Sequence, residues 1–327
     1  MNSRTSIRLA LTAGLALVLT LGHSLLRAQA YPSQPIRLIV PYAAGTNADG
    51  LARQLAPRVS AILGQQLIVD NRPGAGAIIG TEMVVRAAPD GYTLLFGATQ
   101  TAINISLYKK LPYDTLRDLA PVVRISNQPQ AVVINAALPP KSIPELVEYA
   151  KKNPGKLNYA NTGVGNSGHL ANVYFAHLAG IDMKHVSYNN FGKLLTDMLR
   201  GDIHMLIYPL PGVSAQIDAG KLRPLATTGE KRVSFMAQLP TMVELGYKDL
   251  VLPAWQGIFA PARTPPAVMD TIYRAFAQVL NDPQVQSKML ESGTEVALEN
   301  PVEFGKFIRS QAAIYEKMVK ISGATAE

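Results

Sequence analysis

The sequence predicts an α/β fold with two lobes and a ligand cleft between them. Short apolar runs alternate with helical patterns along the chain, which is typical of βαβ units and mainly parallel sheets. The 327 residues suffice for about two domains. Two extended segments, 120–126 and 252–260, can each cross from one lobe to the other. We therefore predict a discontinuous first lobe (31–123 and 255–327), an inserted second lobe (124–254), and a ligand site in the cleft.

The first thirty residues predict a secretory signal peptide. Arg4 and Arg8 precede the apolar run 9–21, and Ala28–Ala30 has the small-residue spacing of a cleavage site. Cleavage there starts the mature chain at Tyr31. An N-terminal membrane anchor is the alternative, and it is disfavoured because the apolar run is shorter than the roughly 20 residues that a span needs.

Composition excludes several classes of function. The chain has no cysteine, which excludes disulfide scaffolds, iron–sulfur ligation and thiol catalysis. The formal net charge is +8, but the basic residues are scattered, so no nucleic-acid partner is predicted. A mild positive field does suit an anionic ligand. The five histidines show no metal-ligand spacing with carboxylates, so we predict neither a metal nor a cofactor.

The individual elements follow from apolar periodicity and from turn residues. Predicted strands are short apolar runs, over 36–40, 67–70, 93–96, 121–125, 131–135, 157–160, 185–187, 203–207, 222–227 and 257–260. Predicted helices carry apolar residues on one face, over 51–62, 142–153, 170–179, 194–200, 213–219, 267–280, 283–291 and 302–321. Ser142 and Glu145 have capping-box spacing. Gly180 and Gly201 follow helical segments as stop signals.

The loops that follow the strands predict a ligand site for an anion. Ligands of open α/β sheets bind beyond the carboxyl ends of the strands. These loops are rich in Gly, Ser, Thr, Asn and Tyr, and Asp49, which we interpret as a helix-start residue, is their one formal charge. Several lead into helices, whose free N–H groups and dipole bind anions without Arg or Lys. The predicted ligand-binding residues are Tyr42, Gly45, Thr46, Asn47, Thr99, Gln100, Asn161, Gly165, Asn166, Ser167, Tyr188 and Tyr208.

The segment Asn161–His169 has three interpretations. Gly163–Gly168 matches the dinucleotide fingerprint, but the acidic residue expected at the end of the next strand is missing. Ser167 lies in an approximate nucleophile elbow, which would make the chain a secreted Ser167-dependent hydrolase, but His169 replaces the last glycine. The third interpretation is a carboxylate cradle in which Ser167 caps the following helix. We favour the cradle because it requires no missing feature, and we predict no catalytic residue.

Motifs spread over nearly the whole mature chain carry a family resemblance. They are Tyr31–Arg37, Asp70–Gly76, Ala88–Leu94, Leu107–Asp114, Pro154–Tyr159, Ala219–Arg223 and Ala260–Pro265. In this order they resemble the Bug or TctC family, the periplasmic solute-binding receptors of tripartite tricarboxylate transporters. The resemblance implies a two-lobed periplasmic-binding-protein (Venus flytrap) fold in the periplasm. It also implies capture of a small carboxylate and delivery to a membrane permease, with no chemistry.

The resemblance further implies that one ligand carboxylate is held through waters and the loops Tyr42–Asn47 and Asn161–Ser167. The sequence departs from the family pattern where two Asp are common, since His204 and Tyr208 stand there. Losing these carboxylates disfavours an amino-acid ligand, because an ammonium group needs a negative partner. We predict a small carboxylate without a positive group, with dicarboxylates and aromatic acids among the candidates, bound by a monomer. A receptor that presents its ligand to a sensor kinase is the remaining alternative.

Overall fold

The computed structural model describes residues 31–326, and these form two sheets flanked by helices. The predicted signal peptide lies outside the described residues. The strands are β1 (Ile36–Val40), β2 (Leu67–Asn71), β3 (Thr93–Ala98), β4 (Leu119–Gln128), β5 (Gln130–Asn135), β6 (Asn158–Asn161), β7 (Lys184–Ser187), β8 (Met205–Pro209), β9 (Leu222–Thr227), β10 (Ala254–Pro261) and β11 (Glu295–Glu299). One sheet has the order β11-β4-β10-β3-β1-β2, and the other has the order β7-β6-β8-β5-β9.

The helices pack on both faces of these sheets. They are α1 (Asn47–Leu63), α2 (Ile78–Val85), α3 (Thr99–Leu107), α4 (Thr115–Asp118), α5 (Ile143–Lys152), α6 (Ser167–Ala179), α7 (Phe191–Arg200), α8 (Ser214–Asp218), α9 (Pro266–Leu280), α10 (Pro283–Glu291) and α11 (Pro301–Ser322). Within residues 31–326, no helix combines the length and the apolar character that a membrane span requires.

Both sheets are mixed, so the prediction of mainly parallel sheets was wrong. The pairs β1–β2, β1–β3, β6–β7 and β6–β8 are parallel. However, β10 runs antiparallel to β3 and β4, and β5 runs antiparallel to β8 and β9. The reason is that β5 and β10 are the first strands after each crossing between the sheets. Each enters the middle of its sheet and runs against both neighbours.

The chain crosses between the sheets twice. Pro129 separates β4 of the six-stranded sheet from β5 of the five-stranded sheet, and the return is complete at Ala254, where β10 begins. By strand pairing alone, the chain therefore passes from one sheet to the other at Pro129, a few residues after the predicted lobe boundary at 123/124. The division into 31–123 with 255–327 and 124–254 stays a prediction about domains.

The helix ends show which sequence signals were decisive. Ser142 caps α5 by accepting from the N–H of Glu145, and Gly180 and Gly201 are left-handed residues after α6 and α7, as predicted. The predicted cap at Ser167 was wrong. Asn166 caps α6 instead, because its Oδ1 accepts from the N–H of His169 at 2.8 Å.

One buried cluster joins the two sheets. It contains Ile39 of β1, Val132 of β5 and Tyr315 of α11. Helix α11 packs against both α3 and α6. This cluster is therefore continuous between the lobes, beside one further apolar cluster in each lobe, and α11 contacts helices of both.

Candidate functional site

A cavity of about 260 Å³ opens between the two sheets. It lies at the ends of β3, β4 and β6, beside β8 and the first residues of β5 and β10. Its lining residues are Tyr42, Asn47, Ala98, Thr99, Gln100, Gln128, Gln130, Asn161, Thr162, Asn166, Ser167, Gly168, Leu206, Ile207, Tyr208, Pro209, Ala254, Trp255 and Gln256.

Most of the residues that we predicted from the loops come together at this cavity. The lining includes Tyr42, Asn47, Thr99, Gln100, Asn161, Asn166, Ser167 and Tyr208. Gly45, Thr46, Gly165 and Tyr188 do not line it. Their assignment to the ligand site stays a prediction, because these four residues are not part of the cavity wall.

These four residues have other contacts in the structure. Gly45 and Thr46 shape the turn before α1, where Thr46 is the N-cap. Gly165 has a positive φ of 79°, and a Cβ there would lie 2.6 Å from Leu107 of α3. The hydroxyl of Tyr188 donates to Asp197 at 2.8 Å. Because Gly165 has no Cβ, its backbone can lie close to Leu107, and the two lobes approach each other closely at this point.

Three helices begin at the cavity. Asn47 is the first residue of α1, Thr99 is the first of α3, and Ser167 is the first of α6. The N–H groups of a first helical turn lack intrahelical partners, and the helix dipole adds positive potential there. The cavity thus presents positive backbone potential from both sheets to whatever occupies it, which favours an anion.

The side chains of the cavity wall are neutral. None of the lining residues in the described part of the chain is charged at neutral pH, and burial raises the pKa of both Tyr42 and Tyr208 above its ordinary value. Asp49, in the first turn of α1, is buried and accepts from Gly45 N, Asn71 Nδ2 and Arg53 Nε, each at 2.9 Å. The hydrogen bond from Gly45, reinforced by Asn71 and Arg53, lowers the pKa of Asp49. Both oxygens of the Asp49 carboxylate therefore already accept hydrogen bonds from the protein, and this residue is not among those that line the cavity.

Sequence reasoning missed the residues that the crossing strands contribute. Gln128, Gln130, Trp255 and Gln256 line the cavity, and each is at most 5% exposed. A signal was present, since two glutamines flank Pro129 between the apolar runs Val122–Val123 and Ala131–Ile134. A polar side chain in a buried strand needs a specific partner, and such positions are candidates for a site.

Two histidines lie beneath the loop that follows β6. The ring centroids of His169 and His185 are 4.6 Å apart. Nδ1 of His169 accepts from Gly165 N at 3.2 Å, and Nε2 of His185 contacts Nδ2 of Asn161 at 2.6 Å. Both rings therefore support the cavity loop. Ser167 is in the first turn of α6 rather than at a sharp strand-to-helix elbow, and no described histidine hydrogen-bonds to it.

The buried histidine makes stability depend on pH. Burial, together with the neighbouring His185, lowers the pKa of His169 to about 4. Between the unfolded pKa of about 6.5 and pH 4, the unfolded chain binds a proton that the folded chain does not. We therefore expect the free energy of unfolding to decrease as the pH is lowered from 6.5 to 4, by about 2–3 kcal/mol from His169 alone. Urea unfolding of His169→Gln should show a shallower fall than the wild type.

The matched control for this prediction is His177→Gln, because His177 is exposed on the same helix. Its pH profile should parallel that of the wild type. An identical profile for His169→Gln and wild type between pH 4 and 6.5 would contradict the prediction.

Three solved structures share this architecture over nearly their whole length. The periplasmic binding protein BugD is 32% identical, with a TM-score of 0.75 over 91% of this chain and 100% of that chain. Rpa4515 of Rhodopseudomonas palustris, solved with adipate, is 30% identical, with a TM-score of 0.78 over 90% and 99% of the two chains. MatC of the same organism, with bound malate, is 25% identical, with a TM-score of 0.73 over 88% and 100%. The fold is therefore that of a two-lobed periplasmic solute-binding receptor, as predicted.

The family model of TctC, the tripartite tricarboxylate transporter family receptor, matches residues 51–323. The chain belongs to this family, which confirms the resemblance given by the sequence motifs. The family and the structural neighbours are substrate-binding receptors of the periplasm and not enzymes. The hydrolase and dinucleotide interpretations of Asn161–His169 are thereby set aside.

Proposed function

We propose that this chain captures a small carboxylate, a dicarboxylate or an aromatic acid, in the cavity between its lobes. It then delivers the ligand to the membrane permease of a tripartite tricarboxylate transporter. The observation that carries this proposal is the convergence of three helix starts on one cavity with neutral walls. Backbone N–H groups and neutral side chains hold the anion, and no covalent step is involved.

The relatives support the class of ligand. Rpa4515 was solved with adipate and MatC with malate, and both are dicarboxylates. Helices α1 and α3 begin on one side of the cavity and α6 begins on the other, so a ligand with a carboxylate at each end can reach both sides. The loops Tyr42–Asn47 and Asn161–Ser167 supply the starts of α1 and α6, and α3 begins directly after β3.

The aromatic side chains of the cavity support an apolar ligand body. The rings of Tyr208 and Phe191 stack at 4.2 Å with an interplanar angle of 11°. Phe191 thereby covers one face of the Tyr208 ring, and Tyr208 also lines the cavity. A stacked pair is a flat, rigid wall, which suits an aliphatic chain or an aromatic ring between polar ends.

Export and delivery belong to the same proposal. Residues 1–30 are removed as a signal peptide, and the mass of the mature protein tests this cleavage. Tyr31, the first residue after the predicted cleavage site, is already anchored, since its hydroxyl donates to Gly91 O at 2.7 Å. The two lobes then close on the ligand, as hinged receptors do. We expect a monomer.

The proposal is tested by titrating the mature protein with adipate, malate, citrate and benzoate. Trp255 is the single tryptophan and lines the cavity, so its fluorescence reports on this site. At least one of these acids should give a saturable change. Ser167→Leu should weaken that binding on the order of 100-fold, because the added bulk occupies the wall at the start of α6.

The matched control is Ser214→Leu, at the first position of α8 and outside the cavity wall. It should bind like the wild type. The proposal fails when none of the acids binds to the wild type, or when Ser167→Leu binds as tightly as Ser214→Leu.

A further inference from the structure

Gln128 stands between the cavity and the first crossing between the sheets. It is the last residue of β4, and Pro129 and the start of β5 follow directly. The side chain is 1% exposed and lines the cavity. A burial of this degree is expensive for an amide unless both of its ends are hydrogen-bonded.

Both ends of this amide do have partners. Oε1 accepts from Nδ2 of Asn47 at 3.1 Å. Nε2 donates to Oγ1 of Thr294 at 2.8 Å. Gln128 therefore links the first residue of α1 to the short segment between α10 and β11.

The two partners differ in their relation to the cavity. Asn47 lines it, whereas Thr294 is 2% exposed and lies outside its wall. The N–H of Thr294 donates to Met289 O at 2.9 Å, so the backbone at this position is fixed by the end of α10. Thr294 is thus a rigid support, and Gln128 transmits that support to Asn47.

A second glutamine ties the two crossings together. Nε2 of Gln130 donates to Leu252 O at 2.6 Å, and the hydroxyl of Thr228 donates to the same oxygen at 2.9 Å. Gln130 and Leu252 belong to the outgoing and the returning crossing, respectively. A rotation of one lobe against the other must change backbone angles near Pro129, and Gln128 is the residue immediately before it.

We infer that Gln128 is a positioning residue of the proposed carboxylate site, an inference that rests on the proposed function. It holds the Asn47 amide in the orientation in which it faces the ligand, and it does so from the strand end where the lobes hinge. Thr294 contributes to ligand affinity through Gln128 without touching the ligand. Gln128 itself connects the occupied cavity to the closing movement.

The test replaces the residue outside the cavity. The probe is adipate, or malate where adipate does not bind, read by the fluorescence of Trp255. Thr294→Val, which lacks the hydroxyl that accepts from Gln128, should raise the Kd about tenfold. Thr294→Ser keeps the hydroxyl and should restore the wild-type Kd. The matched control is Thr264→Val, because Thr264 is a buried threonine that follows β10 and lies outside the cavity wall. This substitution should leave the Kd unchanged.

A double-mutant cycle separates positioning from a loss of stability. If Thr294 acts through Gln128 on Asn47, then Thr294→Val should cost nothing further in an Asn47→Ala background. Scattering should show that Thr294→Val needs more adipate than the wild type to reach the compact state. A merely structural role for Thr294 would lower the urea midpoint and leave both binding readouts as in the wild type.

The two levels of failure are distinguishable. A wild-type protein that binds none of the panel acids overturns the proposed function, and this inference falls with it. A wild-type protein that binds, together with an unchanged Kd in Thr294→Val or an additive effect in the Asn47→Ala background, overturns this inference alone.

Discussion

Adipate and succinate should raise the melting temperature of the protein, whereas 2-aminoadipate and aspartate should leave it unchanged. The members of each pair have the same carboxylates and differ by one ammonium group. The described cavity wall offers that group no carboxylate, and the carboxylate of Asp49 is already engaged by Gly45, Asn71 and Arg53. A buried ammonium without a partner costs several kcal/mol. At 100 times its Kd, a bound acid stabilises the fold by about 2.7 kcal/mol.

A charge-matched variant sharpens this prediction. Gln100→Glu adds a carboxylate of nearly the same shape to the cavity wall in the first turn of α3. It should abolish the response to both dicarboxylates through like-charge repulsion. Gln284→Glu adds the same charge to the first turn of α10, away from the cavity, and should respond like the wild type. Stabilisation by aspartate or 2-aminoadipate alone would contradict the neutral-wall account.

Trp255→Ala should lower the free energy of unfolding by about 3–5 kcal/mol. Trp255 is fully buried, and its ring meets Phe304 and Phe307 of α11 edge-on, with centroids 5.7 and 5.8 Å apart. The substitution removes the aromatic contact between β10 and α11 and leaves a cavity behind the ligand site. Urea unfolding followed by circular dichroism measures the change, since the variant has no tryptophan.

Two further variants calibrate the Trp255 result. Trp255→Phe should cost less, because the indole N–H has no hydrogen-bond partner among the described residues and its loss breaks no bond. Phe235→Ala removes an aromatic ring that is 40% exposed, and its effect should stay within about 0.5 kcal/mol. A loss below about 1 kcal/mol for Trp255→Ala would show that the contact with α11 is not a major stabilising contact.

The sequence predicted most elements where apolar periodicity and caps agree. β9 and α10 have the predicted bounds, and α5 begins after the predicted Ser142 cap. Three helices and one strand were not predicted. The apolar residues of α2 are spread around the helix rather than along one face, so it has no periodicity to detect. Helix α3 begins directly after β3 without turn residues. β11 is a half-buried edge strand with a glutamate at each end, which resembles a loop in sequence.

The residues of the site that lie in loops after strands could be predicted from the sequence. The residues that lie in the strands where the chain passes from one sheet to the other could not. Tyr42 and Ser167 follow β1 and β6, and Asn161 is the last residue of β6, so a general rule about strand ends finds all three. Gln128 and Gln256 lie within β4 and β10, and their role depends on which strand each sheet places beside the cavity. That order comes from long-range pairing, which local sequence patterns do not encode.

The shared C-terminal helix has a consequence for how the receptor comes apart. α11 supports α3 from one lobe and α6 from the other, and a single apolar cluster runs through all three. Each lobe also has an apolar cluster of its own, but the cluster around this helix contains residues of both lobes. We therefore expect the two lobes to unfold in a single thermal transition. Deletion of α11 should destabilise both lobes together.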